Sequence, residues 1–356
     1  MPPRCMRRRS PRAPPSASAT NDAPPGAGMT EIERAVALLK AGELVGIPTE
    51  TVYGLGADAA NPAAVAKIFA AKGRPADHPL IVHIPGAGHL ERWARDIPAL
   101  AWELAEDFWP GPLTLILKRA PGVPDAVTGG QDTIGLRVPG HPLALELLRA
   151  FAAAGGSGGI AAPSANRFGR ISPTTAAHVR EELGDAVALV LDGGPCAVGI
   201  ESTIVDLSSG SPKLLRPGHI SPQRIEAACG LLPQAPDGGV PRASGTLEAH
   251  YAPQTPMRMV GSERLLDFLN AQRHSGRRCG VLSHSQPPQA VSGTQQPYVW
   301  KMLPAAPDGY AHELYAVLRE LDHAGVDLIV VEAIPDAADW AAVADRLRRA
   351  VHGAGA

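Results

Sequence analysis

The alternation of short apolar runs with helical segments is the feature that most constrains how this chain can fold. Runs such as 113–117 and 328–331 have the length of buried strands, well short of the roughly 18 apolar residues that a membrane helix needs. Between them, segments such as 61–73 and 143–153 carry apolar side chains at helical spacing. With 356 residues, and with Gly 38 plus Pro 36 to form turns, the chain is predicted to be an α/β protein of two or three domains.

Local signals mark the ends of several elements. Thr30 and Glu33 form a capping-box pattern, and Asn61 before Pro62 predicts the start of a second helix, which stops near Gly73. Strands are predicted at 44–47, 80–84, 113–117, 133–138, 160–162 and 187–191, in a hairpin at 203–207 and 213–215, and at 257–260, 279–283 and 327–334. The polar, Pro-rich stretch 284–297 is predicted to be a loop.

Composition divides the chain after its first 28 residues into three parts. Residues 29–232 carry most of the predicted strands and helices and form the larger α/β unit. Residues 233–256 are rich in Pro and Gly and read as a linker, although His250 and Tyr251 are unusual in a plain spacer. Residues 257–356 alternate strand with helix, which predicts a small parallel-sheet domain.

Charge and cysteine content limit the classes of function. Lys and Arg number 33 against 35 Asp and Glu, for a formal net charge of -2. Binding of nucleic acid by the charge of the whole protein is therefore not indicated, although a local basic patch stays possible. Cys5, Cys196, Cys229 and Cys279 form no CxxC pair, and no histidine pair completes a zinc pattern. We expect free thiols in a reducing cytoplasm, no disulfide and no structural metal.

Two glycine patterns fail on their context. Residues 54–59 match the dinucleotide fingerprint G-x-G-x-x-A, but residues 48–53 separate the predicted strand from the first glycine. Residues 155–159 match the nucleophile-elbow pattern G-x-S-x-G, but a helix precedes them and a strand follows, the reverse of the order that this motif needs. The Walker A pattern is absent from the sequence, so any ATP must be held by another arrangement.

Polar side chains gather where the first predicted strand ends. The segment 48–56 (PTETVYGLG) brings Thr49, Glu50, Thr51 and Tyr53 together after a proline. Glycines follow, and they allow a ligand or the backbone to approach closely. A threonine-rich turn is the alternative interpretation of this segment.

Cations follow at the end of the second predicted helix. Lys72 and Arg74 flank a glycine, and Pro75 ends the helix so that both side chains stand on a turn. A lysine point charge beside an arginine fork suits a polyphosphate, although two cations also suit the negative end of a helix dipole. His83 lies in the next strand, where a lone histidine is more often structural. Arg216, at the end of a later strand, adds a third cation.

The strand at 133–138 turns an arginine inward. Thr133, Gly135 and Arg137 share one face of this strand, which leaves a hollow between a hydroxyl and a guanidinium group. An arginine that faces inward needs an anion. That anion is either a carboxylate of the protein or a carboxylate of the substrate.

Hydroxyl and amide groups complete the set. Ser164 and Asn166 follow the strand at 160–162, and Ser202 and Thr203 stand at the start of another strand. Residues of these types on turns usually cap their own backbone. Together with the cations, however, they fit a site that binds a nucleotide and a small hydroxy amino acid. Catalysis there would rest on positioning and charge stabilisation.

The motifs resemble those of a known family. PTETVYGLG, KGRP (72–75), HPLIVHI (78–84), TIGLRVP (133–139) and APSAN (162–166) are similar to the YrdC/Sua5 family of threonylcarbamoyl-AMP synthases, and SGTLEAHYAPQTP (244–256) is similar to the strap of its two-domain Sua5 form. The resemblance implies a YrdC-like twisted open sheet with helices and a small Rossmann-like parallel α/β C-terminal domain. It also implies a concave, positively charged cleft.

The resemblance further implies an activity. The family makes L-threonylcarbamoyladenylate from L-threonine, bicarbonate and ATP with Mg²⁺, and releases pyrophosphate. The product feeds N6-threonylcarbamoylation of adenosine 37 in tRNA, so the implied partner is a downstream tRNA-modifying threonylcarbamoyl transferase. The implied location is the cytoplasm, without membrane attachment.

Site residues carry over where the motif positions match. Thr51, His83, Arg137 and Ser202 would hold L-threonine. ATP would be held by Lys72, Arg74, His78, Thr133, Ser164, Asn166, Ser172, Arg216 and Tyr251. Lys72 and Arg74 would be the catalytic pair that offsets charge on the phosphates. Some members carry serine where this chain has Ala162, so only a backbone contact to threonine is expected there.

Two other functions stay open on the sequence alone. One is a YrdC-fold module that binds RNA without catalysis, and the other is carbamoyl transfer to another acceptor. The net charge of -2 and the absence of an aromatic stacking row argue against the first. The strap and the C-terminal domain of the Sua5 form argue against the second.

The first 28 residues differ in composition from the rest. They are rich in Pro, Ala and Ser, and they contain several arginines but a single acidic residue, Asp22. This predicts a disordered tail. A transit peptide, or a start codon upstream of the true start at Met29, are the alternatives.

Deleting residues 1–28 should leave both thermal unfolding and pyrophosphate release unchanged, because a tail of this composition contributes no packed core. Circular dichroism melts and a pyrophosphate assay on the full-length and shortened chains test this. Activity lost on deletion would show that the tail has a function.

Overall fold

The computed structural model describes residues 28–286 and 298–355. The predicted tail and most of the predicted loop at 284–297 lie outside the described residues, as does Cys5. Its helices are α1 (Glu31–Lys40), α2 (Pro62–Lys72), α3 (Leu90–Trp93), α4 (Ala99–Phe108), α5 (Asp125–Thr128), α6 (Pro142–Ala153), α7 (Ala176–Leu183), α8 (Pro222–Cys229), α9 (Leu265–His274), α10 (Pro307–Asp322) and α11 (Ala341–Gly353). Its strands are β1 (Val45–Ile47), β2 (Gly54–Asp58), β3 (Ile81–His83), β4 (Leu113–Lys118), β5 (Thr133–Arg137), β6 (Ile160–Ala161), β7 (Leu189–Val190), β8 (Thr203–Asp206), β9 (Lys213–Arg216), β10 (Met257–Val260), β11 (Cys279–Ser283), β12 (Tyr298–Met302) and β13 (Leu328–Glu332).

The first nine strands form one mixed sheet in the order β7-β1-β2-β6-β3-β5-β4-β8-β9. At its centre β3 and β5 are parallel neighbours, and the register places His83 opposite Arg137. Val82 and Leu136 point into a large hydrophobic core beneath α2 and α4. Because side chains alternate along a strand, His83 and Arg137 share the opposite face of the sheet. The sheet therefore presents its polar residues on the face away from the core.

The last four strands form a second, entirely parallel sheet in the order β10-β13-β11-β12. Helices α10 and α11 pack on one face of it and α9 packs on the other. This confirms the predicted parallel α/β unit and, with the mixed sheet, the predicted α/β fold class. The domain boundaries at 232 and 257 stay a prediction.

Local end signals are confirmed where they were strongest. The capping box of Thr30 and Glu33 begins α1, and Asn61 caps α2. Gly73 ends α2 in the left-handed conformation. Strands β8 and β9 form the predicted hairpin. These signals are reliable because a cap or a tight turn needs only neighbouring residues.

Strands β2 and β12 were not predicted. The sequence analysis explained the glycines of β2 as positions where a ligand or the backbone approaches closely. The structure shows that the side chains of the neighbouring strands approach there. A Cβ on Gly56 would lie 2.4 Å from the side chain of Ile47 and 3.1 Å from that of Ile160, on the strands either side. Glycine here permits close strand packing, a requirement that a composition-based strand signal does not detect.

The segment 233–256, which we call the strap, crosses the polar face of the mixed sheet. Val240 and Ala243 pack against Ile116 and Ile204 of that face. The hydroxyl of Ser244 donates to the carbonyl oxygen of Pro79 at 2.9 Å. The strap therefore forms a wall over the sheet.

Two buried arginines join the second sheet unit to the first. Arg319 on α10 contacts Glu182 at 2.8 Å, and Arg346 on α11 contacts Glu201 at 2.7 Å. Nearer the start of α10, Gly199 lies against this helix with φ +83, and a Cβ there would be 2.5 Å from the carbonyl oxygen of His312. The interface thus depends on a residue without a side chain.

No helix among the described residues combines the length and the apolar character that crossing a membrane would require.

Gly199→Ala should destabilise the protein by about 1–3 kcal/mol, because alanine is strained at this φ and its Cβ would clash with α10. Gly155→Ala is the matched control, since Gly155 has φ +78 but nothing within 4 Å of its added Cβ. We expect Gly199→Ala to lower the midpoint of thermal unfolding clearly more than Gly155→Ala. Equal losses would show that α10 does not press on this loop.

Candidate active site

A cavity lies between the polar face of the mixed sheet and the strap. Its walls come from the loops at 49–54, 162–164 and 201–202, from strand ends, and from the strap. Of the residues predicted for the site, it is lined by Thr51, Arg74, His83, Arg137, Ser164, Ser202, Arg216 and Tyr251. The fold therefore brings together groups that are up to 200 positions apart in the sequence.

Two guanidinium groups stand at one end of the cavity. Arg74, just after the end of α2, donates to the carbonyl oxygen of Pro79 at 2.9 Å and to the hydroxyl of Ser244 at 3.3 Å. Arg216, at the end of β9, donates to the carbonyl oxygens of Ser202 and Ser244 at 3.0 and 2.8 Å. Burial lowers the pKa of Arg74 to about 10 and also lowers that of Arg216. Among the described residues only neutral oxygens accept hydrogen bonds from these two side chains, so neither of them forms a direct ion pair, although the ionised Glu201 lies near Arg216.

Lys72 does not line the cavity. Its ammonium group lies behind the wall and donates to the carbonyl oxygens of Ser164 and Asn166, each at 2.5 Å. Burial and the charge of Arg74 hold its pKa well below the usual range. In this arrangement Lys72 fixes the loop that carries Ser164 into the cavity wall.

Arg137 and His83 form the other end. Arg137 donates to Thr51 Oγ1 at 2.9 Å and to Glu50 Oε1 at 2.6 Å. Glu50 also accepts from the backbone N–H of Gly140 at 2.8 Å. Of the two anions that the sequence left open for Arg137, the protein's own carboxylate is therefore present, and it is Glu50.

His83 lies beside Arg137 and is buried. Its Nδ1 atom is buried and has no hydrogen-bond partner among the described residues. Burial, together with the positive charge of Arg137, lowers the pKa of His83 to about 3. The imidazole is therefore neutral near pH 7.

Hydroxyl groups link the two ends. Ser202 Oγ lies 2.8 Å from Thr114 Oγ1 and accepts from Arg216 at 3.1 Å. Thr49 and Thr51 share a hydrogen bond at 2.9 Å. The cavity thus joins an uncompensated cationic end, a row of hydroxyls, and an end whose arginine is already paired.

Four further predicted residues lie near the cavity without lining it. Thr133 lines an adjoining cleft that shares Ile81 and Ser244 with the cavity. The side-chain amide of Asn166 donates to the carbonyl oxygens of Arg167 and Arg170, and Ser172 donates to Glu201 at 2.6 Å. His78 packs edge-on against Phe168.

Several wall residues were given no role in the site by the sequence analysis, although it singled out Thr49 after the first strand and His250 in the strap. They are Thr49, Val52, Gly54, Ile81, Pro163, Glu201, Ser244, Gly245 and His250. The sequence could have indicated Glu201 as a wall residue, because it directly precedes Ser202, which the sequence analysis had named. Ser244 and Gly245 lay in the strap motif but have no chemistry that marks them. Ala162 lines the wall, and its backbone contact to threonine stays a prediction.

Glu201 is the carboxylate in this wall. Burial alone would raise its pKa, but the charges of Arg346 and Arg216 and a hydrogen bond from Ser172 outweigh burial and hold the pKa at about 2. Glu201 is therefore ionised and fully engaged. Across residues 28–286 and 298–355, no group of three His, Cys, Asp or Glu side chains is arranged to hold a metal ion.

The free energy of unfolding should fall as the pH falls from about 6.5 to about 5. In this window an unfolded His83 takes up a proton and the folded one does not, which costs about 1.4 kcal/mol per pH unit. Burial also lowers the pKa of His178 to about 4 and that of His250 to about 3, so these histidines add to the same dependence. His83→Gln should therefore reduce the slope by the share of one proton without abolishing it, measured by urea unfolding at successive pH values. His274→Gln, at an exposed position, is the control and should follow the wild type. An unchanged slope in His83→Gln would contradict the burial of a neutral imidazole.

Family models cover both units. Residues 37–218 match the Sua5/YciO/YrdC model, described as "Telomere recombination", and residues 220–351 match the Sua5 C-terminal model, described as "Threonylcarbamoyl-AMP synthase, C-terminal domain".

Relatives and a solved structure agree with these matches. The threonylcarbamoyl-AMP synthase of Bacillus subtilis is 42% identical over 91% of this chain and 93% of its own length. That of Pyrococcus abyssi is 38% identical over 90% and 94%. The crystal structure of P. abyssi Sua5 complexed with L-threonine superposes with a TM-score of 0.82 at 37% identity, covering 91% of this chain and 94% of that one. The chain thus belongs to the YrdC/Sua5 family of threonylcarbamoyl-AMP synthases, in its two-domain form.

Proposed function

We propose that this protein makes L-threonylcarbamoyladenylate from L-threonine, bicarbonate and ATP, and releases pyrophosphate. The observation that carries the proposal is a single cavity with Arg74 and Arg216 at one end and Arg137 with His83 at the other. The names of its relatives support the same reaction. The product would serve N6-threonylcarbamoylation of adenosine 37 in tRNA, through a separate threonylcarbamoyl transferase in the cytoplasm.

The cationic end is proposed to bind the phosphates of ATP. Arg74 and Arg216 present guanidinium forks whose charge no carboxylate bonded to them cancels, and such forks match phosphate oxygens. The adjoining cleft has apolar walls from Ile116 and Ile204 and a hydroxyl from Thr133, which suits a base and its ribose. Mg²⁺ would enter bound to the phosphates, because the carboxylate in the wall is already engaged.

The other end is proposed to bind L-threonine. Arg137 has N–H groups beyond those given to Glu50 and Thr51, and these would hold the amino-acid carboxylate. The neutral imidazole of His83 and the hydroxyl of Ser202 would bond the polar groups of threonine. Because Glu50 already balances Arg137, this end is close to neutral, which suits a zwitterion.

Lys72, Asn166, Ser172 and His78 take supporting parts in the proposal. Lys72 is proposed to act from behind the wall, through the Ser164 loop and its positive charge. Asn166 and Ser172 would hold the loop and Glu201 in place. His78 would stand at the outer rim on the phosphate side.

The chemistry follows from this arrangement. Bicarbonate and the amine of threonine form a carbamate with loss of water and a proton. A carbamate oxygen then attacks the α-phosphorus of ATP while pyrophosphate leaves on the opposite side. Negative charge grows on the phosphates, and Arg74 and Arg216 are placed to stabilise it. The protein thereby acts by holding two substrates in line and offsetting charge, without a covalent intermediate.

Binding would require the strap to move. About 50 Å³ of space remains between the walls. Sites for ligands of this size usually provide roughly 300–1,000 Å³. Ser244 and Gly245 stand in front of the two arginines, so the strap would withdraw for ATP to enter. Tyr251 would then close over the bound nucleotide.

Pyrophosphate release from ATP should require both threonine and bicarbonate, because the carbamate of threonine is the nucleophile. We expect serine, or omission of either substrate, to reduce release to background in an enzyme-coupled pyrophosphate assay. Equal release without an amino acid would contradict the proposed substrate.

Arg74→Ala should lower kcat/KM by about 10²–10³, the usual loss for one stabilising contact in a transition state. Arg258→Ala, on the surface of the second unit, is the matched control and should keep wild-type turnover. Circular dichroism melts would confirm that both variants are folded. Normal turnover in Arg74→Ala would place the phosphates elsewhere.

A further inference from the structure

Arg346 on α11 is fully buried, and it bonds to main-chain segments that adjoin the cavity. Its Nη2 donates to the carbonyl oxygen of Glu201 at 3.2 Å, and its Nη1 donates to that of Pro217 at 3.0 Å. Glu201 is the neighbour of Ser202, and Pro217 is the neighbour of Arg216. One side chain of the second unit therefore holds the backbone next to two residues of the cavity wall.

The same guanidinium group fixes the side chain of Glu201. Its Nε donates to Glu201 Oε2 at 2.7 Å, and Tyr315 on α10 donates to that oxygen at 3.0 Å. The other oxygen of Glu201 accepts from Ser172. Arg346 Nη1 also pairs with Asp345 Oδ2 at 2.8 Å, so the charge of Arg346 is shared between two carboxylates. The share that balances Glu201 leaves more of the positive charge of the nearby Arg216 for an anion in the cavity.

Arg346 also supports the strap. Its guanidinium carbon lies 5.4 Å from the ring centroid of Tyr251. The ring centroids of Tyr251 and Tyr315 are 5.7 Å apart. Tyr251 has φ +63, a conformation that costs energy for any residue with a side chain and persists only when the surroundings enforce it. One turn further along α11, the carbonyl oxygen of Arg349 accepts from the backbone N–H of His250 at 3.3 Å.

Arg319 provides an internal comparison. It is also a buried arginine of the second unit and bonds across the same interface, to Glu182 and to the carbonyl oxygen of Ile171. Neither of these partners lines the cavity. Both arginines are therefore buried at the same interface. Of the two, only Arg346 bonds to a residue of the cavity wall and contacts the strap.

We propose that Arg346 is a positioning residue for the nucleotide end of the cavity, acting through the segments beside Ser202 and Arg216 and through Tyr251. This inference rests on the proposed function for its kinetic consequence. It gives the second unit a defined task, which is to hold one wall of the site and the strap in register with the other wall.

Arg346→Lys keeps a positive charge but loses the fork that bonds to three partners at once. We expect it to raise the KM for ATP about tenfold, in keeping with loss of charge-assisted hydrogen bonds, with a smaller change in the KM for threonine. Trypsin should also cut faster after Arg242, an exposed residue of the strap, because the strap is held less firmly. Arg319→Lys should change both readouts much less than Arg346→Lys does, even where its melting temperature falls equally, because its partner Ile171 adjoins Ser172 but no residue of the cavity wall.

The proposal is overturned if the two lysine variants change the ATP KM and the cleavage rate to the same extent, or if Arg346→Lys changes only the melting temperature. Should Arg346→Lys fail to fold, Arg346→Met combined with Glu201→Gln takes its place, because it removes the charges of Arg346 and Glu201 together and leaves Asp345 its pairs with Arg348 and Arg349. If the wild type releases no pyrophosphate, the proposed function fails. Cleavage after Arg242 in the two variants still decides the role of Arg346.

Discussion

The functional half of this molecule depends on its buried arginines and on how the charge of each one is balanced. Burying a guanidinium group is costly unless oxygen atoms replace the water that it loses. Arg137 and Arg346 receive carboxylates, from Glu50 and Glu201, and their charges are largely cancelled. Arg74 and Arg216 receive only carbonyl and hydroxyl oxygens. The positive charge that survives is therefore confined to one end of the cavity, where a polyphosphate gains most from it.

This balance also explains how the proposed site would bind a polyphosphate although the net charge of the chain is -2. The attraction is produced by two side chains in a low-dielectric cavity, where Coulomb interactions are stronger than on a wet surface. A whole-protein field is not needed. The same reasoning accounts for the buried ammonium of Lys72, which carbonyl oxygens of the Ser164 loop hold in place behind the wall.

The strap and the second sheet unit extend the site beyond the mixed sheet. Tyr251 and Ser244 reach the cavity from a segment with no regular structure, and such a segment needs support to hold a side chain in place. Helices α10 and α11 supply that support through Tyr315 and Arg346. The two units are thereby linked at the wall of the cavity, as well as at the more distant pair of Arg319 and Glu182.

The sequence by itself determined the fold class, most elements with a cap or an apolar period, and the family. Those signals depend on a few neighbouring residues, or on motifs that are continuous in the sequence. Only the tertiary structure decided that Glu50 is the partner of Arg137, that Lys72 stands behind the wall, that the glycines of β2 serve strand packing, and that Glu201 belongs to the cavity. Each of these depends on which distant segments meet and on how water is excluded between them. Side-chain periodicity along one strand or helix carries no information about either.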